Sequence, residues 1–206
     1  MAKALTAGLT GQTGAGKSTA ALTFKSSGYY IIDADKAARE VTVKGSPVLT
    51  SLAKAFGEDI IKEDGTLDRA LLAQRAFSDK QHTDLLNSIT HPAIAGRIEK
   101  LRNEAFASGY DRILIDAPLL FDAGLDSLCD VTVAVTAPVE KREYRIIKRD
   151  GLSADEARSR MDAQKDEQYY ISHASYVIMN DEDTQTLRER TRETIIKIEE
   201  NAEKNV

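Results

Sequence analysis

Gly11-Gln12-Thr13-Gly14-Ala15-Gly16-Lys17-Ser18 is the stretch of this 206-residue chain whose residue types and spacing most directly imply chemistry. Its glycines let the backbone turn tightly around an anion and aim successive N–H groups at the oxygens. The positive end of a following helix adds to the field there. Lys17 supplies a mobile cation for the outer phosphates of a polyphosphate, and the Ser18 hydroxyl is placed to ligate a bridging magnesium ion. A chance Gly-rich turn would lack the context found here: an apolar run, Ala4 to Leu9, directly before, and a helix-forming segment, Thr19 to Phe24, directly after. Strand, loop and helix in that order are what a phosphate-binding loop requires.

Phosphoryl chemistry also asks for carboxylates and further cations. Tyr29-Tyr30-Ile31-Ile32 reads as a short buried strand ending in Asp33-Ala34-Asp35, at the carboxyl end where open α/β sheets place their ligands. Asp33 suits the N-cap of the helix expected over Lys36 to Val43, and Asp35 is the better candidate for a general base that takes a proton from an attacking hydroxyl. Arg39 follows Asp35 by four residues, on the same face if both are helical. A further strand, Arg112 to Asp116, ends in a carboxylate placed to reach toward magnesium through water. The apolar Pro118, Leu119 and Leu120 beyond it face either a substrate or the core. A helix from Pro138 to near Arg149 carries Arg145 and Arg149 on one face. Ser153-Ala154-Asp155-Glu156 is a capping box opening another helix, which holds Arg158, Arg160 and Gln164. These two helices read as a lid that brings cations, Arg145 among them, onto a transferring phosphoryl group. Arg142 and Arg158 are expected in solvent, as are His82 and His173.

The elements that must position these residues follow from the punctuation of the chain. The first helix runs to about Ser27 and stops at Gly28. Residues 46 to about 108 read as an insertion made almost wholly of helices: Pro47 to Phe56 closed by Gly57, a helix capped by Asp68 and running to Phe77, Lys80 to Ser88, and Ala93 to Ser108 closed by Gly109. An insertion of this kind suits closure over a second substrate, and Arg69, Arg97 and His91 are its residues of interest. The arginines are either solvated charge or phosphate contacts. His91, just before Pro92, is expected in extended backbone, shaping the start of the next helix. Val131 to Val135 and Tyr176 to Met179 complete the strands. A final helix, about Thr184 to Glu203, has an apolar stripe at Leu187, Ile195 and Ile198.

Composition narrows the class. Hydrophobic residues at 42% and charged residues at 30% suit a globular protein. The net charge of −5 argues against a broad nucleic-acid surface, so an anionic substrate must be held by a local group of cations. No apolar run reaches the roughly 18 residues of a membrane span. Met1 to Leu9 lacks the basic start and long apolar core of a signal peptide, so the expected location is the cytoplasm, with neither membrane nor nucleic acid as partner. The single cysteine, Cys129, excludes an intramolecular disulfide and a Cys-based zinc site, and is expected as a buried thiol.

Taken together, these motifs resemble the dephospho-CoA kinase family, within the P-loop kinases related to nucleoside monophosphate kinases. Gly8-Leu9-Thr10-Gly11 with Gly14-Ala15-Gly16-Lys17-Ser18-Thr19 is similar to that family's N-terminus, and Ile32-Asp33-Ala34-Asp35 with Arg39 to its aspartate motif. Asp64-Gly65-Thr66-Leu67-Asp68-Arg69, His91-Pro92-Ala93-Ile94, Pro118-Leu119-Leu120-Phe121 and Arg149-Asp150-Gly151-Leu152-Ser153 follow in the family's order, so the resemblance spans Leu5 to about Asn180. In two places this chain departs from the pattern. Asp122 stands where the family usually has glutamate, and Gln12-Thr13 where Gly-Ile is commoner.

The resemblance implies an α/β P-loop NTPase fold with a five-stranded parallel sheet flanked by helices. Its implied parts are a core of residues 1–35, 109–140 and 174–206, a helical CoA-binding insertion 36–108 and a helical lid 141–173. It implies ATP as phosphoryl donor with Mg2+, and dephospho-CoA as acceptor, with Asp35 as general base for the ribose 3′-hydroxyl. Gly14 to Thr19 would hold the ATP phosphates and Arg145 would contact nucleotide. Arg39, Arg69, His91 and Pro118 to Leu120 are the acceptor-side residues, and Ser18 and Asp116 the magnesium side. On the residues alone, a kinase for another small acceptor such as a nucleoside monophosphate stays open, as does a nucleotide-dependent switch. The helical insertion and arginine-rich lid favour a kinase, because a switch needs no second-substrate pocket.

Overall fold

A computed structural model describes residues 4–204, so the reading of Met1 to Leu9 rests partly on residues that lie outside the described ones. The elements run β1 (Leu5–Gly11), α1 (Lys17–Ser26), β2 (Tyr30–Asp33), α2 (Ala34–Val41), α3 (Pro47–Phe56), α4 (Arg69–Ala76), α5 (Lys80–Ala107), β3 (Arg112–Asp116), β4 (Val131–Thr136), α6 (Val139–Asp150), α7 (Ala154–Asp162), α8 (Glu167–His173), β5 (Tyr176–Met179) and α9 (Thr184–Lys204). They form two compact units: residues up to Ile32 together with those from Glu104 on, and Asp33–Asn103.

The first unit is built on a five-stranded parallel sheet in the order β2-β3-β1-β4-β5. All seven residues of β1 are buried, the continuous burial expected of a central parallel strand covered on both faces. The register sets Leu9 of β1 opposite Asp116 of β3, and Gly11 opposite Val135 of β4, while Thr136 of β4 pairs with Met179 of β5. The phosphate loop, Asp116 and Asn180 therefore leave the sheet along one carboxyl edge. The chain leaves β1 toward the β2 side and β4 toward β5, so the neighbouring ends of β1 and β4 open the kind of crevice where α/β sheets take ligands.

Packing fixes this frame. Phe24 and Leu9 lie in one buried cluster with Leu114, Val133, Val135, Ile178 and the α9 residues Leu187, Ile195 and Ile198, so the stripe expected on the last helix is the face it buries. Gly8 is needed where the segment after β3 crosses the strand: a Cβ there would lie 2.8 Å from both Leu120 Cδ2 and Cys129 Sγ. Leu120 consequently has 0% exposure. Of the three residues after Asp116 read as facing substrate or core, it belongs to the core, while Leu119 is exposed and Pro118 half-buried. Pro118 accepts a hydrogen bond from the Thr10 hydroxyl through its carbonyl at 3.0 Å.

The second unit has its own core of Leu49, Leu52, Phe56, Ile60, Leu67 and Leu72. Local chemistry explains the Asp64 to Arg69 motif: Asp64 accepts from the Thr66 N–H at 2.8 Å to make a turn, and Asp68 caps α4 by accepting from Ala70 and Leu71 N–H at 3.1 and 3.0 Å. Ser46 caps α3, whose first residue is Pro47.

Three readings change. Lys80 to Ala107 is one helix with Pro92 inside it, so His91 is helical and not extended. Proline removes one N–H from the ladder. Against that local loss, Leu86 and Ile89 before it pack on the second unit's core and Ile98 after it is fully buried, so packing on both sides holds one continuous helix. Gln164 lies beyond the end of α7, and the short α8, capped by Asp166, had no legible apolar period. Phe24→Ala is expected to lower stability by about 3–5 kcal/mol, read as a lower urea midpoint with an unchanged m-value.

Candidate active site

The phosphate loop owes its shape to glycines in left-handed conformation. Gly14 has φ +77°, and a Cβ there would lie 2.7 Å from the Arg142 carbonyl oxygen. Gly16, at φ +107°, leads into α1, and a Cβ on it would lie 2.4 Å from Asn180 Nδ2. A side chain at either position would meet both strain and collision. The bend leaves the N–H groups of Gly14, Gly16, Lys17 and Ser18 without an acceptor among the described residues. Donors turned outward at a helix start are what a polyphosphate requires.

The loop's carbonyls are held from behind. Asn180, 5% exposed, donates from Nδ2 to the Ala15 carbonyl at 2.7 Å. Arg145 donates from Nη1 to the Gly14 carbonyl at 3.2 Å and from Nη2 to Asn180 Oδ1 at 3.2 Å. No carboxylate pairs with this guanidinium among the described residues, and burial alone pulls its pKa below the ordinary arginine value. A guanidinium stays charged at neutral pH even so, and Arg145 brings an uncompensated cation to the loop.

Lys17 donates to Asp116 Oδ1 in a direct ion pair, with both side chains about one-fifth exposed at 18% and 19%. The Ser18 residue is exposed beside them. These are hard oxygen donors of the type magnesium prefers. Among the described residues no group of three or more His, Cys, Asp or Glu side chains could hold a metal by itself. An ion bound at Ser18 and Asp116 would complete its shell with water and substrate oxygens, which is magnesium's habit.

The exposed arginines of α6 and α7 are paired with acids and are not brought to the loop as free charges. Arg149 and Arg160 both pair with Asp150, each at 2.7 Å, and Arg158 with Glu143 at 2.9 Å. Arg142, expected in solvent, is instead 5% exposed. The α6 face that carries Arg145 toward the loop places Arg142, three residues earlier, inside the fold.

In the second unit, Asp33 caps α2 by accepting from the Lys36 N–H at 3.0 Å, and Asp35 and Arg39 are exposed on that helix. Arg69 donates from Nη2 to the Thr42 hydroxyl at 2.9 Å, while Arg97 donates from Nε to Glu40 at 2.7 Å. These two arginines tie the α2 region to α4 and α5. His91 is half-buried in α5. Side chains that local sequence gave no reason to bring against the loop are Arg142 and Gln164, and Gln12, though in the loop, gave no sign of its hold on the Lys165 carbonyl; Asn180 was legible only as the residue after the last strand.

Comparison with known proteins agrees with this geometry. The sequence model of the dephospho-CoA kinase family matches residues 5–186. The chain is 44% identical over 191 residues to a dephospho-CoA kinase of Corynebacterium glutamicum, covering 93% of this chain and 98% of that one. Among solved structures, one from Thermus thermophilus superposes with a TM-score of 0.77 at 30% identity, covering 94% of this chain and 97% of the other. The dephospho-CoA kinase from Campylobacter jejuni gives 0.70 at 25% identity, covering 95% and 98%. With a phosphate loop, an acid-paired lysine and nearly the whole length matched, the chain belongs to the dephospho-CoA kinase family.

Proposed function

We propose that this protein transfers the γ-phosphoryl group of ATP to the ribose 3′-hydroxyl of dephospho-CoA, giving CoA and ADP, the last step of CoA formation. The observation that carries the reading is the loop of N–H donors that find no acceptor among the described residues, beside Lys17 and Arg145, in a chain matched by the family from residue 5 to 186. In this reading the acceptor oxygen attacks in line. The bond from the 3′-oxygen to the γ-phosphorus forms, the bond from that phosphorus to the β,γ-bridging oxygen breaks, and ADP leaves.

Each residue then has a role. Gly14 to Thr19 grip the phosphates, and Lys17 and Arg145 spread the charge that develops on the transferring group. Ser18 and Asp116 hold magnesium, which when bound neutralises and orients the phosphate oxygens. Asp35 orients the acceptor hydroxyl and takes its proton. Arg39, Arg69 and His91 offer contacts to the acceptor from the helical insertion, as do Pro118 and Leu119 from the core, and residues 141–173 act as lid. Leu120, with no exposed surface, is left to the core. The same reading makes this a cytoplasmic enzyme of small molecules, with neither nucleic acid nor membrane as partner. It is supported by the chain's net charge of −5. Among the described residues, no helix is long and apolar enough to cross a membrane.

Asp35→Ala is expected to lower kcat by roughly 100-fold or more while leaving ATP affinity near wild type; near-normal turnover would remove Asp35 from the mechanism. Lys17→Ala is expected to raise the Kd for ATP and lower kcat together, because the cation serves the bound and the transferring phosphate alike. Coupled ADP release with a panel of acceptors tests the substrate directly. A strong response to dephospho-CoA is expected, and a stronger one to a nucleoside monophosphate would replace the proposed acceptor.

A further inference from the structure

The leading half of the phosphate loop is gripped by a segment far away in sequence. The Thr13 N–H donates to Gln164 Oε1 at 2.7 Å, and Gln12, 4% exposed, donates from Nε2 to the Lys165 carbonyl at 3.0 Å. The stretch between α7 and α8 thus holds two successive residues of the loop, immediately before the amides that remain free. Fixing the Thr13 peptide fixes the direction in which the chain enters the turn at Gly14. It sets the curvature before a polyphosphate arrives, and a site organised in advance loses less on binding.

Buried charge accompanies this junction. Arg142 lies with its backbone against Gly14, and its Nε and Nη1 are buried without partners among the described residues. Glu167 Oε1, at the start of α8, is buried without a partner as well. Burial lowers the pKa of Arg142, and the field of Glu167 opposes that shift. Arg142 is on α6, and Glu167, half-buried, opens α8 directly after the segment that carries Gln164 and Lys165.

We propose that Gln164 is a positioning residue for phosphoryl transfer: it holds the Thr13 peptide so that the following amides already face the polyphosphate. Its consequence for turnover rests on the phosphoryl-transfer reading above; its consequence for nucleotide affinity does not depend on the acceptor.

The test is Gln164→Met, which keeps length and volume but removes the acceptor. The readouts are kcat, KM for ATP, calorimetric Kd for a non-hydrolysable ATP analogue, and melting temperature. Loss of one acceptor for an enclosed amide is expected to raise KM and Kd about tenfold, with the melting temperature near wild type. Wild-type KM and Kd would overturn the proposal, as would a fall in melting temperature alone. Gln164→Ala, which also removes the acceptor, is expected to weaken nucleotide binding in the same direction, and a wild-type Kd in it would likewise overturn the proposal. Should Gln164→Met fail to fold, Gln164→Ala decides the matter. Wild-type enzyme that released no ADP with dephospho-CoA would sink the functional reading, while calorimetry would still decide the role of Gln164.

Discussion

The constraint on which the rest depends is the tight turn of backbone between Gly11 and Ser18, which must present its N–H groups outward and hide its carbonyls. A chain left to itself would not hold that shape, because each exposed amide prefers water or a local acceptor and the left-handed residues have many alternatives. Here the carbonyl side is satisfied by protein: Asn180 takes the Ala15 oxygen and Arg145 the Gly14 oxygen. Thr13 and Gln12 are held by Gln164 and Lys165. What stays unpaired is the set of donors that a polyphosphate would use.

The electrostatics follow the same division. Exposed arginines of α6 and α7 are paired with acids, and such pairs contribute little stability while cancelling charge that would otherwise attract anions anywhere on that surface. Arg145 lacks such a partner and is turned toward the loop, so positive potential is concentrated where the phosphates belong. A protein with a net charge of −5 can thereby bind an anion without a generally basic surface.

The sheet supplies the geometry that side chains alone could not. Parallel register brings the ends of β1, β3 and β4 together, so Asp116 meets Lys17 although 99 residues separate them. In the second unit the arginines play a quieter part: Arg69 and Arg97 bind Thr42 and Glu40 and hold α2, the helix that carries Asp35 and Arg39 on its exposed surface. A solvated arginine and a bridging one look alike in a sequence, since both are long cations in a polar helix, and only the packing distinguishes them.

Local chemistry determined much from the sequence itself: the phosphate loop through its glycines and Lys17-Ser18, the strands through apolar runs, and helix starts through Asp68 and Ser153. These are decisions made within a few residues, so a few residues suffice to read them. The tertiary structure decided what depends on distant partners. It kept α5 continuous through Pro92 because apolar residues on both sides were held in packing, and it placed Arg142 inside because the α6 face bearing Arg145 had to meet the loop. It also made acceptors of Gln164 and Lys165, 151 and 153 residues from the atoms they bind, a relation that no local period or motif encodes.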